Sequence, residues 1–356
     1  MRNADNARPP AVTMTIDQRL RRVATALIAA IMALSPSVSH GFGAKGHQFV
    51  GAVADRLLNP RAAAKVQQLI GMRLRAAATW ADCAKGVTLE GDDLVYEAEA
   101  QFDAACRPFQ MRAGIERMRD YVRRNWNCAP EGPASACHKR YHFTDVAIQR
   151  DRYDRQFAGT ADTDIVGAMR AAIGVLQGRA SPAPIDIRDE REALMLLAHL
   201  VGDVHQPLHV AAVYLDARGR RVDPDAAPST SIARTRTRGG NSIVAGTTDL
   251  HTEWDQLASP LAPAAINAAM LTEARAVGRT AGRPSAWPEA WAGETVRDAH
   301  KAFDGIVFTA VASQPGRWMA SFDNSAAYHR MKREIQRRQL VRAGARLAQL
   351  LNSLWP

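Results

Sequence analysis

The sequence predicts an all-α protein with a single helical domain that follows an N-terminal leader. Apolar residues recur at helical spacing along most of the chain, and strand signals are few. We find no internal repeat and no clear linker that would divide the chain. With 356 residues, 47% of them hydrophobic, the protein is long enough to bury a sizeable core. Together these observations favour one helix-rich domain.

Residues 1–41 have the pattern of a secretory signal peptide. Three arginines precede a twelve-residue apolar run at 23–34, and small residues then lead to Gly41. A membrane anchor is the alternative, but a bilayer needs about 20 apolar residues. Cleavage after Gly41 would leave Phe42 as the N-terminus and 42–356 as the mature domain. We therefore expect a secreted or periplasmic protein with no stable membrane anchor.

The net charge of the whole chain is +10. The leader carries five arginines and two aspartates, so cleavage leaves a charge of +7. An excess of positive charge biases a protein toward polyanions or anionic surfaces. Solubility alone explains such a charge at least as well, so the charge by itself does not identify a partner.

Four cysteines, Cys83, Cys106, Cys128 and Cys137, indicate two disulfides in an exported protein. Cys128 and Cys137 enclose a short loop rich in Pro, Gly and Ser, so we pair them with each other, and Cys83 with Cys106. Four free thiols are the alternative. The chain has no Cys-x-x-Cys pair, so a cysteine-rich zinc site is not expected.

Apolar spacing, stop residues and caps locate the helices along the chain. The first helix ends at Asn59-Pro60. The segment 187–204 is apolar on most sides, which predicts a central, buried helix. Thr248 is placed to cap a helix that runs to residue 257. The predicted helices span 49–58, 61–70, 110–126, 163–177, 187–204, 249–257, 263–277, 288–303 and 324–354.

The segment 198–210, AHLVGDVHQPLHV, places three histidines and an aspartate among Leu, Val and Ala. Such polar groups cost free energy in an apolar setting unless something pairs with them. His199 and Asp203 are four residues apart on the predicted helix, so both project from one face. Pro207 ends that helix, and the turn brings His209 back toward the same place.

A second helix repeats the four-residue spacing with His251 and Asp255. One such pair usually lies in solvent or is satisfied by a hydrogen bond, but two pairs favour a divalent cation such as zinc. Asp82, in TWADCAK, would alone be a helix cap or a salt-bridge partner. With His47 and His142 the set reaches five histidines and three aspartates, which is enough to bind more than one ion.

The ordered set of motifs resembles the zinc-dependent single-strand nucleases and 3′-nucleotidases, the S1/P1 nucleases. An aromatic residue stands five residues before the His of Gly-His, and Trp-Ala-Asp, Tyr-His-Phe, His-x-x-x-Asp-x-His-Gln-Pro-Leu-His, Gly-Gly-Asn and Leu-His-x-x-x-Asp follow in order. Each motif is weak alone, whereas the ordered set is highly specific. The resemblance extends from Phe42 to the C-terminal AGARLAQLLN.

The resemblance implies an all-α fold with three zinc ions in a cleft. Carried over by motif, one ion would be bound by Asp82, His142, His199 and Asp203, a second by His209, His251 and Asp255, and a third by Phe42 and His47, with Asp203 bridging. In the family the N-terminal residue binds through its own amino nitrogen and carbonyl oxygen, so removal of the leader would complete the site. Two positions depart from the family: Phe42 replaces Trp and Asp249 replaces Asn. We expect the backbone of Phe42 to chelate all the same.

The resemblance also implies endonuclease activity on single-stranded DNA and RNA, with 5′-phosphorylated products, and dephosphorylation of 3′-mononucleotides. Paired cations suit this chemistry because they activate water and stabilise the leaving oxygen. Besides Asp203, the residues expected to act in catalysis or to contact the substrate are Asp145, Lys85 and Asn241. A salt bridge is the alternative role for Asp145 and Lys85.

The segment 216–240 reads as a long surface loop with room for a small hairpin. Arg234, Arg236 and Arg238 lie near its end and directly precede Gly-Gly-Asn. They could grip the backbone of a nucleic acid. They could also simply keep the loop solvated, which is the more usual role of such a cluster.

Two other functions stay open at the level of the sequence. A zinc-dependent phospholipase C shares the fold and the three-metal site, but it spaces its N-terminus farther from the first His and ends its last metal motif with Glu. Here that spacing is five residues and the last ligand is Asp255. A non-catalytic secreted protein that binds zinc or nucleic acid would be supported by a missing ligand, and none is missing. We expect a monomer with no protein partner.

Overall fold

A central buried helix organises the fold, as the sequence predicts. The computed structural model of the protein describes residues 42–127, 136–226, 229–258 and 261–356. The central helix spans Glu190–Asp203, and every residue from 192 to 203 is buried. Asp189 caps it by accepting a hydrogen bond from the backbone N–H of Glu192, which satisfies one of the donors that a first turn leaves free.

The helices are numbered along the chain. They are α1 (Gly43–Asp55), α2 (Pro60–Ile70), α3 (Leu74–Ala77), α4 (Trp80–Lys85), α5 (Asp103–Cys106), α6 (Arg112–Arg124), α7 (Cys137–Arg140), α8 (Ile165–Leu176), α9 (Glu190–Asp203), α10 (Pro207–Val210), α11 (Ser229–Thr235), α12 (Leu250–Asp255), α13 (Ala268–Arg275), α14 (Trp287–Phe303) and α15 (Ser325–Leu354). Short 3-10 turns lie at Arg107–Phe109, Pro263–Ala265 and Pro284–Ala286. The central helix, α9, packs against α1, α2, α8 and α15.

The strands of the described residues are short and form small sheets. The strands are β1 (Val87–Glu90), β2 (Asp93–Tyr96), β3 (Val146–Ala147), β4 (Ala211–Ala212), β5 (Ile243–Ala245), β6 (Thr248–Asp249), β7 (Ile306–Ala310) and β8 (Trp318–Phe322). β1 and β2 form an antiparallel hairpin, and β3 pairs with β4 in parallel. The remaining strands form one sheet in the order β6-β5-β8-β7, in which β5 and β8 run parallel and the other pairs are antiparallel.

The mostly helical fold class is confirmed, and most predicted helices are present within a few residues of their predicted ends. The predicted helix at 263–277 is wrong in its first part, because a 3-10 turn forms there and Asn267 caps a later start by accepting from the N–H of Met270. The cap at Thr248 is also wrong. Thr248 pairs in β6, and Asp249 caps α12 by accepting from the N–H of Thr252.

The hairpin of β7 and β8 was not predicted from the sequence, although its strands alternate between buried and exposed residues. For the segment 216–240 the sequence predicts either a long loop or a small hairpin, and the described part forms mostly a loop. Isolated bridges join Tyr214 to Arg236 and Leu215 to Arg221 at its ends, and the short helix α11 lies within it.

The first helix is held along the last one. α1, which carries His47 near its start, packs along the C-terminal half of α15. Asn352 of α15 accepts a hydrogen bond from the backbone N–H of Asn59 at 2.8 Å and donates to Leu57 O at 3.0 Å. A glycine at 344 lets the two helices approach closely, because a Cβ atom there would overlap Val53. The C-terminal helix therefore fixes the position of His47.

A disulfide anchors α4, the helix that carries Asp82. The predicted bond between Cys83 and Cys106 is confirmed, with Cα atoms 5.6 Å apart. Cys137 is also disulfide-bonded, and its predicted partner Cys128 lies outside the described residues. No free cysteine occurs in the described part of the chain.

The predicted signal peptide, 1–41, lies outside the described residues. Within the ranges that the structure describes, no helix combines the length and the apolar character that a membrane span requires. The described residues all belong to one compact unit.

The close approach of α15 to α1 predicts that Gly344→Ala destabilises the protein. The new Cβ atom would lie 2.5 Å from Cβ of Val53, and overpacking of this kind costs about 1–3 kcal/mol. Gly278→Ala is the matched control, since a Cβ atom there meets nothing within 4 Å. Thermal unfolding followed by circular dichroism should give a lower midpoint for Gly344→Ala than for Gly278→Ala. Equal midpoints would contradict this packing.

Candidate metal centre

The C-terminal end of α9 places His199 and Asp203 on one face. Nε2 of His199 lies 3.0 Å from Oδ2 of Asp203, as expected for residues four apart on a helix. The chain then turns, and the side chain of Gln206 caps α10 by accepting a hydrogen bond from a backbone N–H. This turn returns His209 toward the end of α9, where its Nδ1 lies 3.7 Å from Oδ1 of Asp203.

The carboxylate of Asp203 lies at the centre of a histidine cluster. Its Oδ2 is 2.9 Å from Nδ1 of His142 and 3.0 Å from Nε2 of His199. Its Oδ1 is 3.3 Å from Nε2 of His47, which comes from α1. All four side chains are buried. The two oxygens of one carboxylate therefore face different histidines.

Asp82, on α4, borders His47 and His199. Its Oδ2 lies 4.0 Å from Nε2 of His47, and its Oδ1 lies 3.6 Å from Nε2 of His199. The rings of the two histidines stack with their centroids 3.7 Å apart. A second carboxylate thus approaches the same two histidines that flank Asp203.

A separate group is formed by His209 on α10 with His251 and Asp255 on α12. Nε2 of His209 and Nε2 of His251 are 2.9 Å apart. Oxygens of Asp255 lie 3.9 Å from Nε2 of His209 and 3.6 Å from Nε2 of His251. Gln206 donates a hydrogen bond to Oδ1 of Asp255 at 2.8 Å, which orients the carboxylate toward the two rings.

The structure brings together every side chain that the sequence predicts as a metal ligand. Three groups have donor atoms that all lie within 4.8 Å of one another: His47, Asp82 and His199; His142, His199 and Asp203; and His209, His251 and Asp255. The group of His209, His251 and Asp255 is the complete set that the sequence assigns to one ion. The group of His142, His199 and Asp203 contains three of the four residues assigned to another ion, and Asp82 is the fourth.

Phe42 lies at the head of α1 and borders α12. Its side chain is buried, and its backbone is left-handed with φ 34° and ψ 9°. Its carbonyl accepts a hydrogen bond from the N–H of Gly46 at 3.2 Å. At the next residue, Gly43, a Cβ atom would lie 3.6 Å from the backbone oxygen of Asp255. The backbone at the start of the described chain is therefore close to a predicted metal ligand.

Backbone carbonyls orient three of the histidines. Nδ1 lies 2.8 Å from Ala78 O in His199, 2.7 Å from His142 O in His209, and 2.8 Å from Gly239 O in His251. A carbonyl oxygen only accepts, so Nδ1 carries the proton and Nε2 keeps its lone pair. In His199 and His251, Nε2 is the atom that faces the carboxylates, whereas His209 lies between two of them, with Nδ1 3.7 Å from Asp203 and Nε2 3.9 Å from Asp255. Metal-binding histidines are oriented in this way.

Burial keeps most of these histidines neutral. It lowers the pKa of His209 to about 3, and it lowers the pKa of His47, His142 and His251. Burial alone would raise the pKa of Asp203, but attraction by the surrounding histidines holds it well below its usual range. Neutral imidazole and ionised carboxylate are the forms that bind a metal ion.

The arrangement fits cations. Nε2 of His209 and Nε2 of His251, both acceptors, face each other at 2.9 Å, so a positively charged group is needed between them. Within the described residues, Nδ1 of His47 is buried without a hydrogen-bond partner, and Nε2 of His47 and Oδ1 of Asp203 lie 3.3 Å apart without the geometry of a hydrogen bond. Such atoms cost free energy unless a ligand pairs with them. Burial also raises the pKa of Asp255 well above its usual value, so a nearby cation would favour its ionised form. Histidine and carboxylate donors suit zinc.

The two charged residues predicted to act beside the ligands both form ion pairs. Nζ of Lys85 lies 2.8 Å from Oδ1 of Asp82, and Nε of Arg236 lies 2.7 Å from Oδ2 of Asp145. Lys85 and Asp145 are buried. Both residues therefore form the salt bridges that the sequence left open as their alternative role. One joins Lys85 to Asp82 of the metal centre, and the other joins Asp145 to Arg236 of the neighbouring loop.

Asn241 follows a pair of glycines that hold His251. A Cβ atom at Gly239, where φ is 57°, would lie 2.2 Å from Leu208 O. Only glycine fits at this position, and the carbonyl of Gly239 can then reach Nδ1 of His251. Nδ2 of Asn241 donates to Arg238 O at 2.7 Å, and Oδ1 of Asn241 has no hydrogen-bond partner among the described residues. The Gly-Gly-Asn motif thus orients one ligand and presents an acceptor beside it.

Sequence reasoning missed two residues of the site, Gly202 and Arg236, and it did not assign His205 as a ligand. Gly202 leaves room for His47, since a Cβ atom at Gly202 would lie 2.9 Å from its Nδ1; a glycine between His and Asp inside a helix was the available signal. Arg236 was noted only as one of three loop arginines, without its carboxylate partner. His205 points away from the cluster and accepts from Nη1 of Arg346 at 3.0 Å.

A helical protein with overlapping groups of buried histidines and carboxylates has the features of a metal-dependent hydrolase. The family model described as S1/P1 nuclease matches residues 42–356, and the chain belongs to that family. The family is zinc-dependent, its members hydrolyse phosphodiester bonds, and they are typically secreted. A comparison with curated proteins gave no match.

The contact between Gly202 and His47 predicts that Gly202→Ala lowers the zinc content. The added methyl group would push His47 away from Asp203, although neither ligand is itself changed. Gly293→Ala is the matched control, because this glycine also lies inside a helix and a Cβ atom there meets its nearest atom at 3.4 Å. Zinc per chain is measured by inductively coupled plasma mass spectrometry, with circular dichroism to verify the fold. Wild-type zinc content in folded Gly202→Ala would contradict the role given to this glycine.

Proposed function

We propose that the protein is an exported, zinc-dependent endonuclease. It hydrolyses phosphodiester bonds of single-stranded DNA and RNA, leaves 5′-phosphorylated products, and removes the phosphate of 3′-mononucleotides. The observation that carries this proposal is the buried carboxylate of Asp203, whose two oxygens face different histidines. A shared carboxylate suits closely spaced cations, and such cations act together on one phosphate. Single strands are preferred because their bases can leave the stack and bind a protein surface.

We assign the ligands by the motifs of the sequence. The first ion is bound by Asp82, His142, His199 and Asp203, the second by His209, His251 and Asp255, and the third by Phe42 and His47, with Asp203 shared. The close grouping of His142, His199 and Asp203, and that of His209, His251 and Asp255, support the first two sets. The burial of all eight side chains and the carbonyl contacts that orient three of the histidines support this assignment.

The surrounding residues position the reactants. When bound, zinc ions lower the pKa of water and neutralise charge on phosphoryl oxygens. Asp145, held through Oδ2 by Arg236, keeps a buried Oδ1 without a hydrogen-bond partner among the described residues, so this oxygen can accept a hydrogen bond from the attacking water. Lys85, beside Asp82, adds positive charge for the incoming phosphate. Asn241 offers Oδ1 as an acceptor for a substrate donor.

Removal of the leader would create the last ligand. Phe42 lies at the head of α1, and the backbone beside it approaches Asp255. A peptide nitrogen is a poor metal donor, whereas a free α-amine has an accessible lone pair. We therefore propose that cleavage after Gly41 activates the protein. Retention of the leader should leave it inactive.

Replacement of either central ligand should abolish activity. His199→Ala and Asp203→Ala each remove a donor that lies within 3.0 Å of the other, and each should also lower bound zinc. His329→Ala is the control, because His329 lies on α15 and contacts Ser325 and Glu253 instead. Cleavage of labelled single-stranded DNA and zinc content are measured for all three variants. Full activity in either ligand variant would overturn the assignment.

The mature protein should cut single-stranded DNA only while its metal is bound. The exported protein is first sequenced from its N-terminus to verify Phe42, and is then incubated with labelled DNA with and without chelator. We expect chelator-sensitive cuts that leave 5′-phosphates, and no cuts by protein that retains its leader.

Intact DNA in the presence of zinc-bound protein with a free Phe42 would contradict the nuclease proposal. Hydrolysis of phosphatidylcholine by that same protein would then indicate a zinc-dependent phospholipase C. Zinc binding without either activity would indicate a non-catalytic zinc protein.

A further inference from the structure

Four arginines line one cleft beside the metal centre. The cleft has a volume of about 1070 Å³, and its arginines are Arg234, Arg236, Arg238 and Arg317. Arg236 is paired with Asp145, whereas the other three are exposed. Across the described ranges, none of those three has a carboxylate within salt-bridge distance. We call this feature the arginine cleft.

The inner end of the arginine cleft meets the residues of the proposed active site. Arg236 holds the carboxylate of Asp145 at 2.7 Å. The residue after Arg238 is Gly239, whose carbonyl accepts from Nδ1 of His251 at 2.8 Å. Two contacts therefore join the inner end of the arginine cleft to residues of the proposed active site.

Among the described residues that line the cleft, the acidic one is Asp216, and its charge is already balanced. Oδ2 of Asp216 lies 2.8 Å from Nε and 2.7 Å from Nη2 of Arg220. Its Oδ1 accepts from the backbone N–H groups of Arg218 and Arg220. The net field of the cleft is therefore positive, which favours an anionic occupant.

The described residues that line the cleft offer no exposed aromatic ring on which a base could stack. Among the described residues that line it, the aromatic one is Trp318, which is 2% exposed and donates its indole N–H to Asp216 O. The other lining residues are small or aliphatic, such as Ala310, Val311 and Pro315. Stacking on aromatic rings is the usual way to bind bases, so the cleft is suited to phosphates and sugars.

The chemistry of the lining indicates a polymer. Guanidinium groups bind phosphate through paired, charge-assisted hydrogen bonds. The volume lies at the upper end of the roughly 300–1,000 Å³ of small-molecule pockets, and three guanidinium groups without a carboxylate partner, one of them hydrogen-bonded to Ser242 Oγ, exceed the need of one phosphate. A chain of phosphates accounts for both facts.

We propose that the arginine cleft binds the sugar–phosphate backbone of a single-stranded nucleic acid, several nucleotides from the bond that is cut and without regard to base. The identity of the polymer rests on the proposed function. Arg234, Arg238 and Arg317 contact successive phosphates, while Arg236 stays with Asp145 at the inner end. The protein should therefore prefer long strands to short ones.

The first experiment measures binding, which does not depend on cleavage. A variant with Arg234→Gln, Arg238→Gln and Arg317→Gln is compared with wild type and with a control carrying Arg75→Gln, Arg330→Gln and Arg333→Gln. The control removes the same charge from exposed arginines outside the cleft. The probe is a labelled phosphorothioate DNA strand of about 20 nucleotides, longer than the roughly 4–16 nucleotides of a typical single-strand site. Fluorescence anisotropy with the zinc-loaded mature proteins is recorded over a range of salt concentrations.

The cleft variant should bind about 10-fold more weakly at low salt. Its plot of log affinity against log salt should be shallower by about 2, because each phosphate contact on a single strand contributes about 0.7 to the slope. The control variant should show a much smaller loss and an almost unchanged slope. Equal binding by the cleft variant and the control would overturn the proposal.

The second experiment measures the dependence on strand length. The ratio of kcat/KM for the natural strand to kcat/KM for a dinucleotide should fall about 10-fold in the cleft variant. An equal loss on both substrates would overturn the proposal, since it would place these arginines at the reacting phosphate.

The two experiments separate the cleft from the proposed function. Arginine-dependent binding without any cleavage by wild type would support the cleft and contradict the nuclease function. Cleavage by a cleft variant that binds and discriminates length like wild type would support the function and overturn the cleft.

Discussion

The buried carboxylate of Asp203 is the interaction on which the rest of the structure depends. An ionised group buried this completely costs several kcal/mol unless opposite charge surrounds it. The chain meets this cost by bringing His47, His142 and His199 to its two oxygens from different parts of the fold. Burial alone would lower the pKa of His199, but the carboxylates of Asp203 and Asp82 raise it, so this ring partly balances the charge. A cation would balance the rest, and the scaffold around the cluster holds its donors in place.

The scaffold places the centre at the C-terminal end of α9, where the helix dipole is negative and favours cations. α15 holds α1, and thus His47, against α9. The disulfide between Cys83 and Cys106 anchors α4, and thus Asp82. The turn capped by Gln206 returns His209 to the same end. The donors come from several separate elements, so the precision of the site comes from the packing of the whole domain.

The sequence predicted most of the centre because its strongest signals are local. Four-residue spacing on a helix brings His and Asp together whatever the tertiary fold, and the helical class follows from apolar spacing. Contacts between segments that are distant in the sequence could not be predicted from local spacing. The pair of Arg236 and Asp145 needs a loop whose path the sequence does not specify, and the β7–β8 hairpin depends on pairing with β5. The cap at Asp249 was missed because Thr248, one residue earlier, is also among the favoured cap residues.

The backbone of His142 joins two halves of the centre. Its ring contacts Asp203 in one group, and its carbonyl accepts from Nδ1 of His209 in the other. A displacement of this one residue therefore moves a donor in both groups at once. Cations bound at the two groups would therefore be linked, because a cation that fixes the ring of His142 would also preorganise His209. By reciprocity, each would strengthen the binding of the other by the same factor.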